Sequence, residues 1–176
     1  MGTDPNGRTA MRMNPIIRVF AILAFVVLMV GCDQATKTIA KSRLETSAPQ
    51  SYLLGVVSLQ YAENAGAFLS VGARLPRAVR IVLVMVMTAL AVTGFLALLL
   101  KAHVLDPGRI AAFSLLCAGA FGNLIDRIIR DGNVVDFLIV GVGPFRTAIF
   151  NIADVLLLSG MGLLLLSMFR RSKLQQ

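Results

Sequence analysis

The sequence predicts an all-α integral membrane protein of four transmembrane helices, with a small sheet on one side of the bilayer. Three observations predict it. The 176 residues are 57% hydrophobic and only 15% charged, with a mean hydropathy of +0.79. Average globular usage is roughly 45–50% apolar and about 25% charged, so a soluble domain of this length cannot hide that much apolar surface, and disorder is excluded too. Four apolar stretches punctuate the chain, and two further segments read as strands, one by alternation and one by its β-branched residues.

The first apolar stretch runs from Val19 to Cys32 without a charge and is extended by Ile16 and Ile17. Ile81–Leu100 follows, then Ile110–Ile125, then Ile149–Phe169 with Asn151 and Asp154 near its start. A helix rises about 1.5 Å per residue, so roughly 20 residues cross a hydrocarbon core of about 30 Å. The second and fourth stretches suffice outright. The first and third need their polar ends at shallow depth. The expected layout is a cytoplasmic tail (1–15), spans near 16–36, 79–100, 110–128 and 149–169, and a tail at 170–176. Residues 37–78 and 129–148 are expected outside the cytoplasm. An even number of spans puts both termini on one side. Arg170, Arg171 and Lys173 directly after the last span, with Lys101 and Arg109 in the short second loop, lean that side toward the cytoplasm. Of the acids, Asp4 and Asp106 fall on the cytoplasmic side; Asp33, Glu45, Glu63, Asp126, Asp131, Asp136 and Asp154 fall on or near the other. Any chemistry gathers at that outer surface.

Val57–Ala62 alternates larger apolar with smaller or polar residues, and Val134–Val142 is rich in β-branched residues and bounded by Gly132 and Gly143-Pro144. These two strands can pair beside the helices. Leu69–Arg80 carries three arginines among apolar residues and reads as an interfacial amphipathic segment, which Pro76 keeps from being one unbroken helix.

The net charge of +8 does not signal nucleic acid, because the cations flank apolar runs rather than clustering with aromatics on a polar face. Two Cys and one His build no Cys/His zinc site, and neither CxxC nor HExxH occurs, so no metal and no cofactor is expected. Met29-Val30-Gly31-Cys32 imitates a lipoprotein cleavage box, but three further apolar runs make a lipid anchor redundant. Cys32 is expected to pack at the outer end of the first span.

Asp33 and Lys37 are spaced i,i+4 in the favourable order, which suits an exposed helix-end ion pair worth a few tenths of a kcal/mol or a substrate contact. Gly119 and Gly122 permit close approach of a neighbouring helix. Asn123 and Asp126 share a face, and the adjacent Asp126 and Arg127 either neutralise each other or take separate partners. Asp136 lies between large apolar neighbours, and Asp154 lies one turn beyond Asn151. A carboxylate among apolar groups near a bilayer is costly and points to function by default. Two that approach each other share a proton, one serving as base and one as acid, and activate water without metal or His. Each alone can also serve as a helix-start or turn contact. The lone His103 falls in the second loop and completes no nucleophile–His set. A coupled transporter is a rival reading, but transporters place such acids near the midplane. A non-catalytic scaffold is the other.

Taken together, DQATK (33–37), ENAGAF (63–68), GNLIDR (122–127), NVVDF (133–137) and FNIAD (150–154) resemble the lipoprotein signal peptidase (signal peptidase II) family, in its order. One departure is that Asn64-Ala65-Gly66-Ala67-Phe68 has one Ala fewer than the usual Asn-x-Gly-Ala-Ala-Phe. The resemblance implies an aspartyl endopeptidase of the bacterial inner membrane that removes signal peptides from diacylglyceryl-modified prolipoproteins before the lipidated Cys. It implies that Asp136 and Asp154 are catalytic. It further implies that Asn64, Gly66, Asn123, Asp126, Arg127 and Asn151 shape or support the site, with Asp33 and Lys37 nearby. It implies four helices with a small extracytoplasmic β-cradle. The expected partners are prolipoprotein substrates and membrane lipids, with no nucleic acid, and the chain is expected to act as a monomer.

Overall fold

The computed structural model describes residues 14–65, 76–100 and 106–173. Among them, helices α1 (Pro15–Leu44), α2 (Arg77–Leu100), α3 (Pro107–Ile129) and α4 (Ile152–Lys173) are each long and apolar enough to cross a membrane. Strands β1 (Gln50–Tyr52), β2 (Val57–Asn64), β3 (Val134–Val142) and β4 (Phe145–Arg146) form one antiparallel sheet in that order. The two strands expected from the sequence, β2 by alternation and β3 by its β-branched residues, are its centre. β1 and β4 are too short to show a period.

The helix starts follow from local chemistry. Asn14 Oδ1 accepts from Ile16 N at 2.9 Å ahead of Pro15, and Asp106 Oδ1 accepts from Arg109 N at 3.0 Å ahead of Pro107. Both place a capping oxygen before a proline whose missing N–H costs nothing there. α2 begins directly after Pro76, so Arg77–Arg80 belongs to its first turn; the rest of the expected interfacial segment, 69–75, lies outside the described residues. α1 runs on to Leu44, well past the expected end of the span near residue 36.

α3 and α4 pack closely because glycine lets them. A Cβ on Gly119 would lie 2.5 Å from the Ala153 carbonyl oxygen and 2.8 Å from Leu157 Cγ, and one on Gly160 would lie 2.9 Å from the Ala112 oxygen. Val26, Leu99, Cys117, Ala118 and Leu156 form the core between the spans. A second core of Ala40, Leu44, Val135 and Phe137 seats β3 on the C-terminal end of α1. On α1, residues Val26, Asp33, Lys37, Ala40 and Leu44 are all buried, so one helical face turns inward. Cys32 therefore does not pack as expected: one residue before Asp33, it is turned out and exposed.

The β1–β2 turn is unusual. Leu53 (φ 51°), Leu54 (φ 56°) and Gly55 (φ 88°) are all left-handed. Such a backbone costs roughly 1–2 kcal/mol for each residue that carries a Cβ.

Gly119→Ala is expected to destabilise the protein by about 1–3 kcal/mol through overpacking. Gly162→Ala, where an added Cβ meets nothing within 4 Å, is the neutral control. Thermal unfolding in detergent checks both.

Candidate active site

Polar residues from all five motifs converge where the C-terminal ends of α1 and α3 and the N-terminal end of α4 meet β3. α4 starts at a reciprocal cap: Asp154 N donates to Asn151 Oδ1 at 3.0 Å, while Asn151 N donates to Asp154 Oδ2 at 3.1 Å. This capping box explains why Asn and Asp sit three apart at a helix start, and it fixes the Asp154 carboxylate at the positive end of the helix. Asp136 arrives on β3. Opposite it, β2 places Gln60 and Tyr61 against Phe137 alone, a bulge that twists the strand at this point. Phe137 N and Leu138 N both donate to Phe150 O, and Phe150 N returns a bond to Leu138 O, so the two Asp-bearing segments are laced together.

Asn151 then bridges the carboxylates. Its Nδ2 donates to Asp136 Oδ1 at 2.6 Å while its backbone N–H serves Asp154. Asn123 Nδ2 donates to Asp154 Oδ1 at 3.0 Å, and Asn64 Nδ2 to Asp136 Oδ2 at 3.1 Å. Asp136 is 2% exposed, and that burial, with the Asp154 charge adding to it, raises its pKa to about 6 against the lowering effect of Asn64 and Asn151.

Behind this pair lies an ionic cluster. Lys37 Nζ is 2.8 Å from Asp33 Oδ2, 3.1 Å from Asp126 Oδ2 and 3.0 Å from Asn123 Oδ1. Asp33, Lys37 and Asp126 are fully buried. The Asp33–Lys37 pair is thus not the exposed helix-end pair that its spacing suggested, because that face of α1 is covered by α3 and α4. Each acid also holds another element: Ala153 N in the first turn of α4 donates to Asp33 Oδ1 at 2.8 Å, and Val135 N of β3 to Asp126 Oδ2 at 3.0 Å. A Cβ on Gly122 would lie 2.6 Å from Asp33 Oδ2, so this glycine makes room for a carboxylate as well as a helix.

Asp126 and Arg127 take separate partners. Arg127 Nη1 donates to Asn123 O at 3.0 Å, and its buried Nε has no hydrogen-bond partner among the described residues. Three contributors went unassigned from sequence. Gln34 Nε2 donates to Asp126 Oδ1, Gly122 O and Asp33 Oδ2 at 3.0–3.2 Å. Arg130 Nε lies 3.5 Å from Asp126 Oδ1, an i,i+4 pairing that the sequence displays. Glu63, next to Asn64, accepts from Tyr61 Oη at 2.6 Å and Asn133 Nδ2 at 3.0 Å, which hold its pKa below the ordinary value, the tyrosine bond first. Gly66 and His103 lie outside the described residues. Among the described residues no group of three His, Cys, Asp or Glu is arranged to hold a metal.

Fold and site together define a multi-pass membrane protein with two carboxylates bridged by one asparagine near the ends of its helices. A family model described as signal peptidase (SPase) II matches residues 25–170. The lipoprotein signal peptidase of Geobacter metallireducens is 38% identical over 169 residues, covering 93% of this chain and 98% of that one. The lipoprotein signal peptidase of Symbiobacterium thermophilum is 38% identical over 148 residues, 84% of this chain and 90% of that one. A solved structure described as a bacterial membrane enzyme superposes with a TM-score of 0.77 at 25% identity, over 89% of this chain and 92% of its own. The chain belongs to the signal peptidase II family of aspartic endopeptidases.

Lys37→Met is expected to cost about 3–5 kcal/mol, because it strands two buried carboxylates. Lys41→Met removes a largely exposed partner of Glu45, 3.9 Å away, and is expected to cost no more than about 1 kcal/mol. Denaturant unfolding in mixed micelles checks the contrast. Asp136 gives a pH signature as well. Its folded pKa of about 6 lies above the ordinary 3.8, so ionised Asp136 weakens the fold fully above about pH 6 and not at all below 3.8. Between pH 4 and pH 7 the stability of Asp136→Asn relative to the parent is expected to improve by about 2–3 kcal/mol.

Proposed function

We propose that this chain cleaves the signal peptide from diacylglyceryl-modified bacterial prolipoproteins, before the lipidated Cys, with Asp136 and Asp154 as its catalytic pair. The observation that carries the assignment is the Asn151 bridge, which ties the two carboxylates by bonds of 2.6 and 3.1 Å. The relatives, lipoprotein signal peptidases, supply the substrate class.

In this reading the roles divide by environment. Asp154 accepts from Asn123 and from the Asn151 backbone at a helix N-terminus, which suits the ionised base. Asp136 sits in the drier position, where burial raises its pKa to about 6, so in this reading it carries the proton that the pair shares in its reactive form. Asp154 takes a proton from water as the oxygen attacks the scissile carbonyl carbon, and Asp136 protonates the carbonyl oxygen. The C–N bond then breaks: Asp154 passes its proton to the leaving amine of the lipidated Cys, and the collapsing diol returns a proton to Asp136. Both carboxyls regain their starting states. Asn64, Asn123 and Asn151 hold the two carboxyls, Lys37 holds Asn123, Asp33 holds the first turn of α4, Asp126 holds the strand, and Arg127 braces Asn123 through its backbone oxygen. Gly66 joins this set by resemblance alone. No cofactor takes part.

The signal helix enters from the bilayer beside α3 and α4, which leaves its cleavage site level with the pair. The protein sits in the inner membrane as a monomer in contact with lipid, its termini in the cytoplasm and its site at the periplasmic face. The sheet cradles the emerging segment.

Purified parent, Asp136→Asn and Asp154→Asn, incubated with a diacylglyceryl-modified precursor, test the assignment. Each variant is expected to stay folded and to lose at least about a thousandfold in rate. Cleavage by either folded variant contradicts the pair. The parent's rate should be bell-shaped in pH: it falls on the acid side as the base is protonated and on the basic side as the acid is lost. The basic limb is expected at or above about pH 6, as a property of the pair rather than of one residue. A flat profile from acid to neutral pH contradicts it.

A further inference from the structure

We propose that the end of the sheet remote from the carboxylates is a membrane-inserting wedge, whose Leu53, Leu54, Val142 and Phe145 enter the headgroup–acyl boundary beside the bundle. Both hairpin turns lie at that end. Tyr52 pairs with Val57, Val57 with Val140, and Val142 with Phe145, whereas Asn64 and Asp136 lie at the other end. The two turns are fastened into one body. Arg146 Nη2 donates to Gly55 O at 3.3 Å, its Nη1 to Ser58 Oγ at 3.2 Å and its Nε to Gly143 O at 3.4 Å, and Gly141 N donates to Val56 O at 2.9 Å.

The tip is apolar where a water-facing hairpin is polar. Leu54 is fully exposed, Phe145 85%, Leu53 74% and Val142 68%. The left-handed backbone of the first turn is the one that Asn and Gly adopt freely. Two leucines hold it here against their own steric preference, and the turn thereby presents two large apolar side chains. Residues 46–62 and 137–150 contain no acid; Arg146 is their single charge. An apolar surface with a cation at its edge matches a lipid interface.

The level of the sheet argues for the same occupant. Leu138 is bonded to Phe150, two residues before α4 begins at Ile152, and β3 starts five residues after α3 ends at Ile129. β3 is thus tied to two span ends. From Leu138 to Val142 the strand advances only about 13 Å at its usual rise. The tip therefore lies no more than about 13 Å from the level at which α4 begins, within reach of the headgroup–acyl boundary. This inference rests on the spans and the sheet, not on the catalytic assignment.

The chain contains no Trp, so single tryptophans report cleanly. Leu54→Trp, Phe145→Trp and the reference Met161→Trp, exposed midway along the α4 span, would be reconstituted in phosphatidylcholine–phosphatidylglycerol vesicles carrying lipids brominated at shallow or deep acyl positions. Shallow bromines are expected to quench the Trp at 54 and 145 at least about twofold more than deep ones, with the reverse order at 161. Phe145→Trp exchanges one exposed aromatic for another and keeps the test open should the tighter turn at 54 fail to fold. Quenching by aqueous iodide with none by bromolipid overturns the wedge. So does a signal that appears only as protein is crowded against lipid, which assigns the surface to a second copy.

Discussion

The Lys37 ammonium is the group on which the rest of the structure depends. An isolated cation buried this deeply costs several kcal/mol, and it is tolerated only because two carboxylates and an amide oxygen surround it within 3.1 Å. Each of those acceptors has a second task. Asp33 holds the first turn of α4 through Ala153 N, Asp126 holds β3 through Val135 N, and Asn123 turns its amide toward Asp154. One cation therefore fixes the relation between α1, α3, β3 and the start of α4. The positions of the Asp136 and Asp154 carboxylates follow from that relation.

The arrangement separates stability from reactivity. The charges that neutralise one another lie deep, among Asp33, Lys37 and Asp126. The two carboxylates assigned to catalysis meet neutral amides instead, in Asn64, Asn123 and Asn151. The amides orient the carboxyls and lower the Asp136 pKa, but without the full positive charge that a direct Lys partner would bring. Asp154 gains from its helix end, and Asp136 gains nothing comparable on its strand. Two like groups in unlike surroundings are what acid–base division of labour requires.

Much of this was legible in the sequence because membrane spans and half-buried strands have periods. The four helices and strands β2 and β3 follow from apolar length, from alternation and from β-branched residues. Two- and three-residue strands such as β1 and β4 carry no period, and the left-handed turn at Leu53–Gly55 runs against the residues that occupy it. The Asn151–Asp154 spacing held both of its meanings at once: a helix cap and a carboxylate in the site. The depth of Asp33 and Lys37 was not legible, since a spacing of four sets a shared face but not what covers it. Cys32 was misplaced for the same reason, one residue off the buried face. Gln34 is recognised only once α3 stands beside α1, because its partners lie some 90 positions away.

The account stands on the claim that Asp136 and Asp154 are close enough for the charge of one to govern the proton of the other. Titration of the Asp136 side-chain carboxyl carbon by ¹³C NMR, in the parent and in Asp154→Asn, tests that claim most directly. A midpoint near 6 in the parent that moves down when the Asp154 charge is removed is the predicted result. A midpoint at the ordinary 3.8, unmoved by the substitution, would contradict it.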